Sequence, residues 1–217
     1  MELNRKEIAQ VTGKVNCLQK LPKLSPQIEK FKEQLGTITQ YLERFNPTSV
    51  QDGLLRARAG FVECKSYDLP TLEMSAQIYG EKAIVVWIKI QLENLNEYCG
   101  VKEKMSLEQL SEVSKIIFYT YPQLNIAEIA FFILKFKSGY FGQFYGCVDP
   151  LKISSAFCQF MMDRMDALNA AQRDSKRQEI EWSVQNDMAQ KLLKERIIRK
   201  RKKIMSIKKI RIKRIKK

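Results

Sequence analysis

The 217-residue chain contains no histidine. That absence removes Ser-His-Asp and Cys-His nucleophile pairs, His-ligated zinc and imidazole proton relays together. Proline and glycine are scarce, at six and nine residues, which argues against a loop-rich β-sandwich and for a mainly helical chain. Long apolar runs are lacking too. The stretches Ala83–Ile88 and Ile126–Leu134 fall far short of the ~20 residues that cross a bilayer, and the segment Met1–Glu7 lacks the apolar run of a signal peptide. The five cysteines, Cys17, Cys64, Cys99, Cys147 and Cys158, are odd in number and form no CxxC pair. That fits buried free thiols in a reducing cytosol better than a disulfide framework or a zinc site. A soluble, cytoplasmic protein without metal or cofactor is the expectation.

Charge is abundant but unevenly placed. Residues 191–217 carry fifteen Lys/Arg against the single acid Glu195, so this tail holds the whole net charge of +14. The preceding 190 residues, with 23 bases and 23 acids, are electrically balanced. A body that is neutral and 45% apolar over the full chain can build a packed core, whereas the tail needs an anionic partner. Its candidate phosphate-binding residues are Lys191, Lys194, Arg196, Arg199, Lys200, Arg201, Lys202, Lys203, Lys208, Lys209, Arg211, Lys213, Arg214, Lys216 and Lys217. Neutralising phosphates with such residues releases condensed counterions whatever the base sequence. Leu193, Ile197, Ile204, Ile207 and Ile215 fall within about 80° on a helical wheel, so a basic amphipathic helix is expected. Such a helix suits a nucleic-acid backbone, an anionic membrane surface or an acidic groove on a protein. The tail has no aromatic residue, which weakens base stacking and membrane anchoring alike. Nucleic acid is the preferred partner, ahead of membrane, acidic protein and a merely solubilising role.

The body reads as helices between breakers. Ser25-Pro26 starts a helix over Gln27–Leu35 that stops at Gly36, with Pro22 as an earlier breaker; Thr37–Phe45 follows and ends at Asn46-Pro47. Ser49–Ala59 is next, with Leu54 and Leu55 facing inward. These pieces suggest a helical subdomain over residues 1–65. A helical core over 66–171 follows. Leu69-Pro70 opens a short helix to Gly80, and Glu81–Tyr98 carries Ile84, Trp87, Ile88 and Leu92 on one face. Ser106-Leu107-Glu108-Gln109 forms a capping box ahead of an inner face of Leu107, Leu110, Val113 and Ile117. Asn125 caps the helix Ile126–Lys137, which is apolar nearly all round and must be buried. Asp149-Pro150 opens a long final helix, with a break expected near Asn169–Ser175, and residues 172–217 form its extension. The fold class is therefore all-α: an irregular helical bundle with a long, basic C-terminal helical extension.

Between these last two helices lies Ser138–Val148, where Gly139, Gly142 and Gly146 alternate with Tyr140, Phe141, Phe144 and Tyr145. No Gly-Lys-Ser/Thr follows, so this is not a Walker loop, and no strand precedes it as a dinucleotide fingerprint requires. It is either a folded turn whose aromatics plug the core, the favoured reading, or a ligand loop in which Tyr140 and Tyr145 contact bases. Twelve of the 21 aromatics lie between Phe118 and Phe160, which places this loop in an aromatic-rich core. Asp163/Asp166, Glu179/Glu181 and Glu108/Glu112 are expected on solvated helix faces rather than as acid–base pairs. Cys147 lacks a histidine to activate its thiol. No catalytic residue is assigned, and no enzyme activity is expected.

The run Tyr121-Pro122, Asn125-Ile126-Ala127-Glu128, Lys137-Ser138-Gly139, Gly142-Gln143-Phe144-Tyr145-Gly146 and Val148-Asp149-Pro150 resembles an uncharacterised family of helical proteins from phages and conjugative elements of gut Bacteroidetes. The resemblance covers roughly residues 69–170, about half of the chain. It implies an accessory role in DNA transactions, in the manner of replication initiation or helicase loading, and it carries over no site residue. The combined expectation is a non-catalytic nucleic-acid-binding accessory of loader or adaptor type. In it the tail holds DNA or RNA and the body recruits a protein partner. The alternative is a protein-interaction adaptor whose tail docks an acidic partner or an anionic membrane surface.

Overall fold

The computed structural model describes the backbone of residues 25–215 and the side chains of residues 25–200. Cys17 and Pro22 lie outside the described residues. Among the described residues the chain forms nine helices and no strand: α1 (Pro26–Leu35), α2 (Ile38–Arg44), α3 (Pro47–Ala57), α4 (Phe61–Ser66), α5 (Leu72–Tyr79), α6 (Glu81–Tyr98), α7 (Leu107–Thr120), α8 (Ile126–Lys137) and α9 (Pro150–Ile215). The chain is all-α. It divides into two units, Met1–Met161 and Met162–Lys217.

Local chemistry sets most helix starts. The backbone amides of Gln40, Gln109 and Glu128 donate to the side chains of Thr37, Ser106 and Asn125, and each of these N3 side chains answers the cap's own amide. Asn46 rather than a later serine opens α3, accepting from the Ser49 amide at 2.9 Å with Pro47 in the first turn. The short α4 is absent from the sequence reading. Its cap, Gly60, has no side chain to announce it, and Glu63 alone closes the turn by accepting the Gly60 amide at 2.8 Å.

In the first unit, α8 lies at the centre. Ile126 through Ile133 and Phe136 are all buried, and α8 packs on α3, α4 and α6. The Phe132 ring stacks on Phe157 of α9 with centroids 3.7 Å apart and meets Phe136 and Phe160 edge-on. Phe61 of α4 joins the same cluster against Phe131 and Phe160. Residues from α1 to α3, including Phe31, Leu35, Tyr41 and Leu54, share this hydrophobic cluster with α5 to α8. Helices α6 and α7 form an antiparallel pair, tied at one end by Tyr119 donating to Glu81 and at the other by Asn96 and Met105.

Most buried polar groups of the described residues are satisfied inside this core, with Gln91 Oε1 the exception that has no hydrogen-bond partner. Trp87 Nε1 and Gln91 Nε2 both donate to the Phe45 carbonyl, which ends α2. Glu128, buried at the start of α8, accepts the Asn125 amide at 2.9 Å, and Asn125 Nδ2 donates to the Cys64 carbonyl at 2.8 Å. The start of α8 is thus clipped to the end of α4, and an unmade bond there would cost about 1–3 kcal/mol.

Some sequence expectations fail on burial. Leu55 and Leu107 are exposed. Gln51 and Leu54 set the inner face of α3, turning Leu55 about 100° away. Leu107 is the first residue of α7, where side chains lean back past the helix end. Cys64 is buried and Cys99 half-buried, but Cys147 and Cys158 are exposed. Cys147 sits in a loop held by backbone bonds between Glu103 and Gly146 and between Val148 and Glu103, and Cys158 lies on the outer side of α9 within reach of the Tyr121 hydroxyl.

The second unit is the remainder of α9. The expected break near Asn169–Ser175 is absent, and the helix runs without interruption to Ile215. Ala167, Ala170, Ala171, Gln172 and Arg173 are good helix formers, and no glycine or proline interrupts them. The missing apolar period in this stretch reflects exposure, not a loop.

Phe132→Ala is expected to cost about 3–5 kcal/mol of unfolding free energy by denaturant titration, because its ring is fully buried among aromatics. A second expectation concerns alkaline pH. Burial, with Glu128 and Glu63 adding, pushes the Cys64 thiol up from 9.0 to about 12. Its contribution to stability is therefore intact below pH about 9 and lost as pH rises toward about 12. Stability measured across that window should fall more steeply for the native chain than for Cys64→Ala.

Candidate functional site

The basic tail begins within α9. Lys191, Lys194, Arg196, Arg199 and Lys200 are all exposed. Of these, Arg199 approaches Glu195 one turn back at 3.8 Å, a surface pair worth at most ~0.5 kcal/mol. Arg201, Lys202, Lys203, Lys208, Lys209, Arg211, Lys213 and Arg214 continue on helical backbone, but their side chains lie outside the described residues, as do those of Ile204, Ile207 and Ile215. Lys216 and Lys217 lie wholly outside them. The helical stretch from Lys191 to Ile215 spans about 37 Å at 1.5 Å per residue. Duplex DNA presents one phosphate charge per ~1.7 Å of axis, so a straight helix of this length can meet many phosphates at once. Leu193 and Ile197, the described part of the tail's apolar face, are exposed.

Upstream of the tail, Ile180, Trp182, Val184 and Met188 are exposed as well, followed by Leu192 and Ile198. Ile180, Val184 and Met188, spaced by four residues, form a row on the surface of the helix.

The glycine-aromatic loop is organised by the end of α8. The Gly139 amide donates to Phe136 and the Tyr140 amide to Lys135, both on left-handed backbone at Gly139 with φ +80°. This is the Schellman closure, which favours glycine at that position. Gly142, with φ +79°, makes the next turn and donates to the Gly139 carbonyl. The chain then folds back so that Phe144 stacks on Phe136, nearly parallel at 5.3 Å, and Phe141 meets both Phe132 and Phe136. The Lys152 ammonium donates to the Gln143 carbonyl and holds the turn from α9.

The two tyrosines of the loop differ. Tyr140 is 52% exposed, yet the Lys135 ammonium sits 3.5 Å from its ring centre, occupying one face as a base would. Tyr145 is 84% exposed and its ring has no aromatic or cationic neighbour among the described residues.

A cleft of about 350 Å³ beside this loop is lined by Tyr98, Cys99, Phe136, Lys137, Gly139 and Phe144, among others. Lys137 Nζ donates to Gln51 Oε1 at 2.7 Å and to Asn94 Oδ1, and burial holds its pKa below the usual lysine value. Both α6 and α8 end at this cleft, where the negative ends of the helix dipoles favour a cation such as Lys137. Burial pushes the Cys99 thiol up, against the pull of Lys137 and Lys152, which keeps it in the protonated, poorly nucleophilic form.

Of the carboxylates paired in the sequence, Glu108, Glu112, Asp166, Glu179 and Glu181 are exposed and Asp163 is half-exposed. No helix among the described residues is long and apolar enough to cross a membrane.

Tyr145→Ala is expected to leave the thermal midpoint unchanged, and Tyr140→Ala to cost no more than about 1 kcal/mol through the lost cation–ring contact. Phe141→Ala and Phe144→Ala should each cost about 2 kcal/mol or more. Calorimetry of the four variants checks this order.

A profile of a family of unknown function, DUF6633, matches residues 104–206, a little under half of the chain. The chain is similar to that family over α7, α8, the glycine-aromatic loop and most of α9. No curated protein and no solved structure matches it.

Proposed function

We propose that this protein is a non-catalytic nucleic-acid-binding accessory that grips phosphate backbone through residues 191–217. One observation carries the reading: fifteen bases and a single acid fill 27 residues that follow a charge-balanced body. Fourteen uncompensated charges on one segment repel one another and favour a polyanion that offsets them. Helical backbone as far as Ile215 supports the same reading, because it repeats the tail's residues at a regular rise. Recognition of this kind is independent of base sequence.

The body, with its balanced charge, is assigned the recruitment of a protein partner, in the manner of loaders and adaptors. Its resemblance to proteins of phages and conjugative elements supports a setting in mobile-element DNA replication, in the cytoplasm. A second reading rests on the exposed Leu192, Leu193, Ile197 and Ile198. These residues suit an adaptor whose tail docks an acidic protein groove or an anionic membrane.

Binding of the full chain to duplex DNA should weaken steeply with salt, with a log–log slope near −0.9 per phosphate neutralised. If six to ten bases engage, raising salt from 50 to 200 mM should lower affinity on the order of 10³–10⁵-fold. A chain ending at residue 190 that binds as tightly as the full one would overturn the proposal. Tighter binding to anionic vesicles or an acidic peptide than to DNA at equal salt would favour the second reading.

A further inference from the structure

We infer that Phe61, Phe131 and Tyr140 form an aromatic cage for a trimethylammonium group, with Lys135 as its resident occupant. The Lys135 ammonium nitrogen lies 3.5 Å from the ring centre of Tyr140, 5.0 Å from that of Phe61 and 5.5 Å from that of Phe131. All three distances fall within the ~6 Å over which a ring face attracts a cation. Several rings around one nitrogen is the arrangement that recognises quaternary ammonium ions, and here a cation already sits in it.

The fold fixes each wall. Phe131 and Lys135 stand one turn apart on α8, α4 supplies Phe61, and the glycine-aromatic loop supplies Tyr140. Phe61 and Phe131 meet at 89° with centroids 5.2 Å apart, and both pack against Phe160. Tyr140 is seated by its own amide, which donates to the Lys135 carbonyl at 3.0 Å. Phe131 is buried, Phe61 and Lys135 are half-buried and Tyr140 is half-exposed, so the cage has a dry floor and a wet rim. Lys135 lies in the last turn of α8, where the negative end of the helix dipole favours a cation and disfavours an anion.

The occupant shows the shape the cage accepts: an ammonium on a linear aliphatic stem. A lysine ammonium is strongly hydrated and loses much of that hydration among rings. A trimethylammonium group carries the same charge with no N–H to hydrate, so the cage holds it in preference. The flexible stem of Lys135 lets its own ammonium swing out to water when such a group enters. While Lys135 is in place, apparent affinity is reduced by the fraction of molecules whose cage is empty. The trimethylammonium group can come from a methylated lysine of a protein partner or from a choline-type molecule. This assignment is independent of the tail's hold on nucleic acid.

Titration of the full chain with tetramethylammonium chloride, at constant total chloride, tests this through the amide resonances of Gly139, Tyr140 and Phe141. Weak, saturable shifts are expected in the native chain, and ammonium chloride should produce none. K135Q, which removes the resident cation, should tighten binding by about fivefold or more. K135Q/Y140L should lose it while circular dichroism shows unchanged helix content. Trimethyllysine and choline titrated into K135Q distinguish the sources: tighter binding of the first marks a protein partner, and of the second a small molecule or headgroup. A K135Q chain that shows no saturable shift would overturn the inference. So would equal affinities of the native chain and K135Q, or binding that survives Y140L unchanged.

Discussion

Helix α8 has no side for water. From Ile126 to Ile133 every side chain is buried, including the carboxylate of Glu128, and a helix of that kind is stable only when other elements surround it. The rest of the first unit follows from this demand. Helices α3, α4 and α6 cover it, the first turns of α9 bring Phe157 and Phe160 against Phe132, and the glycine-aromatic loop folds back to place Phe141 and Phe144 over its last turn. The loop's glycines serve that return. Gly139 supplies the left-handed residue that ends α8, and Lys135 then rests on Tyr140. A motif that resembles a ligand loop by composition is thus built as the closure of the central helix.

The second unit obeys different physics. From Gln172 onward every described side chain of α9 is exposed, so the helix there is held by its own backbone bonds, and the large apolar side chains between Ile180 and Ile198 face water. Electrostatics divides it further, since the cations are concentrated beyond Lys191. The proposed function places a polyanion on that basic segment.

Much of the fold was legible because the relevant signals are local. Ser106 with Gln109 and Asn125 with Glu128 announce helix starts within four residues, and the unbroken apolar run of α8 announces its burial. Gly60 could not announce α4, since a glycine cap has no side chain, and Leu55 and Leu107 show that an apolar residue near a helix end or edge can face water. The continuous α9 was misread at Asn169–Ser175 because an exposed helix has no need of apolar periodicity. The charge of the tail was fully legible from composition. The surface row was not, since only the structure shows that Ile180, Val184 and Met188 stay uncovered.

The central claim is that nucleic acid is held by the tail while the body stays clear of it. Acetylation of lysines in the full chain, with and without duplex DNA and read by mass spectrometry, tests this at residue level. The account predicts protection concentrated at the lysines from Lys191 to Lys217, with Lys30, Lys82 and Lys115 of the body reacting equally in both conditions. Protection spread over the body lysines, or no protection in the tail, would contradict it.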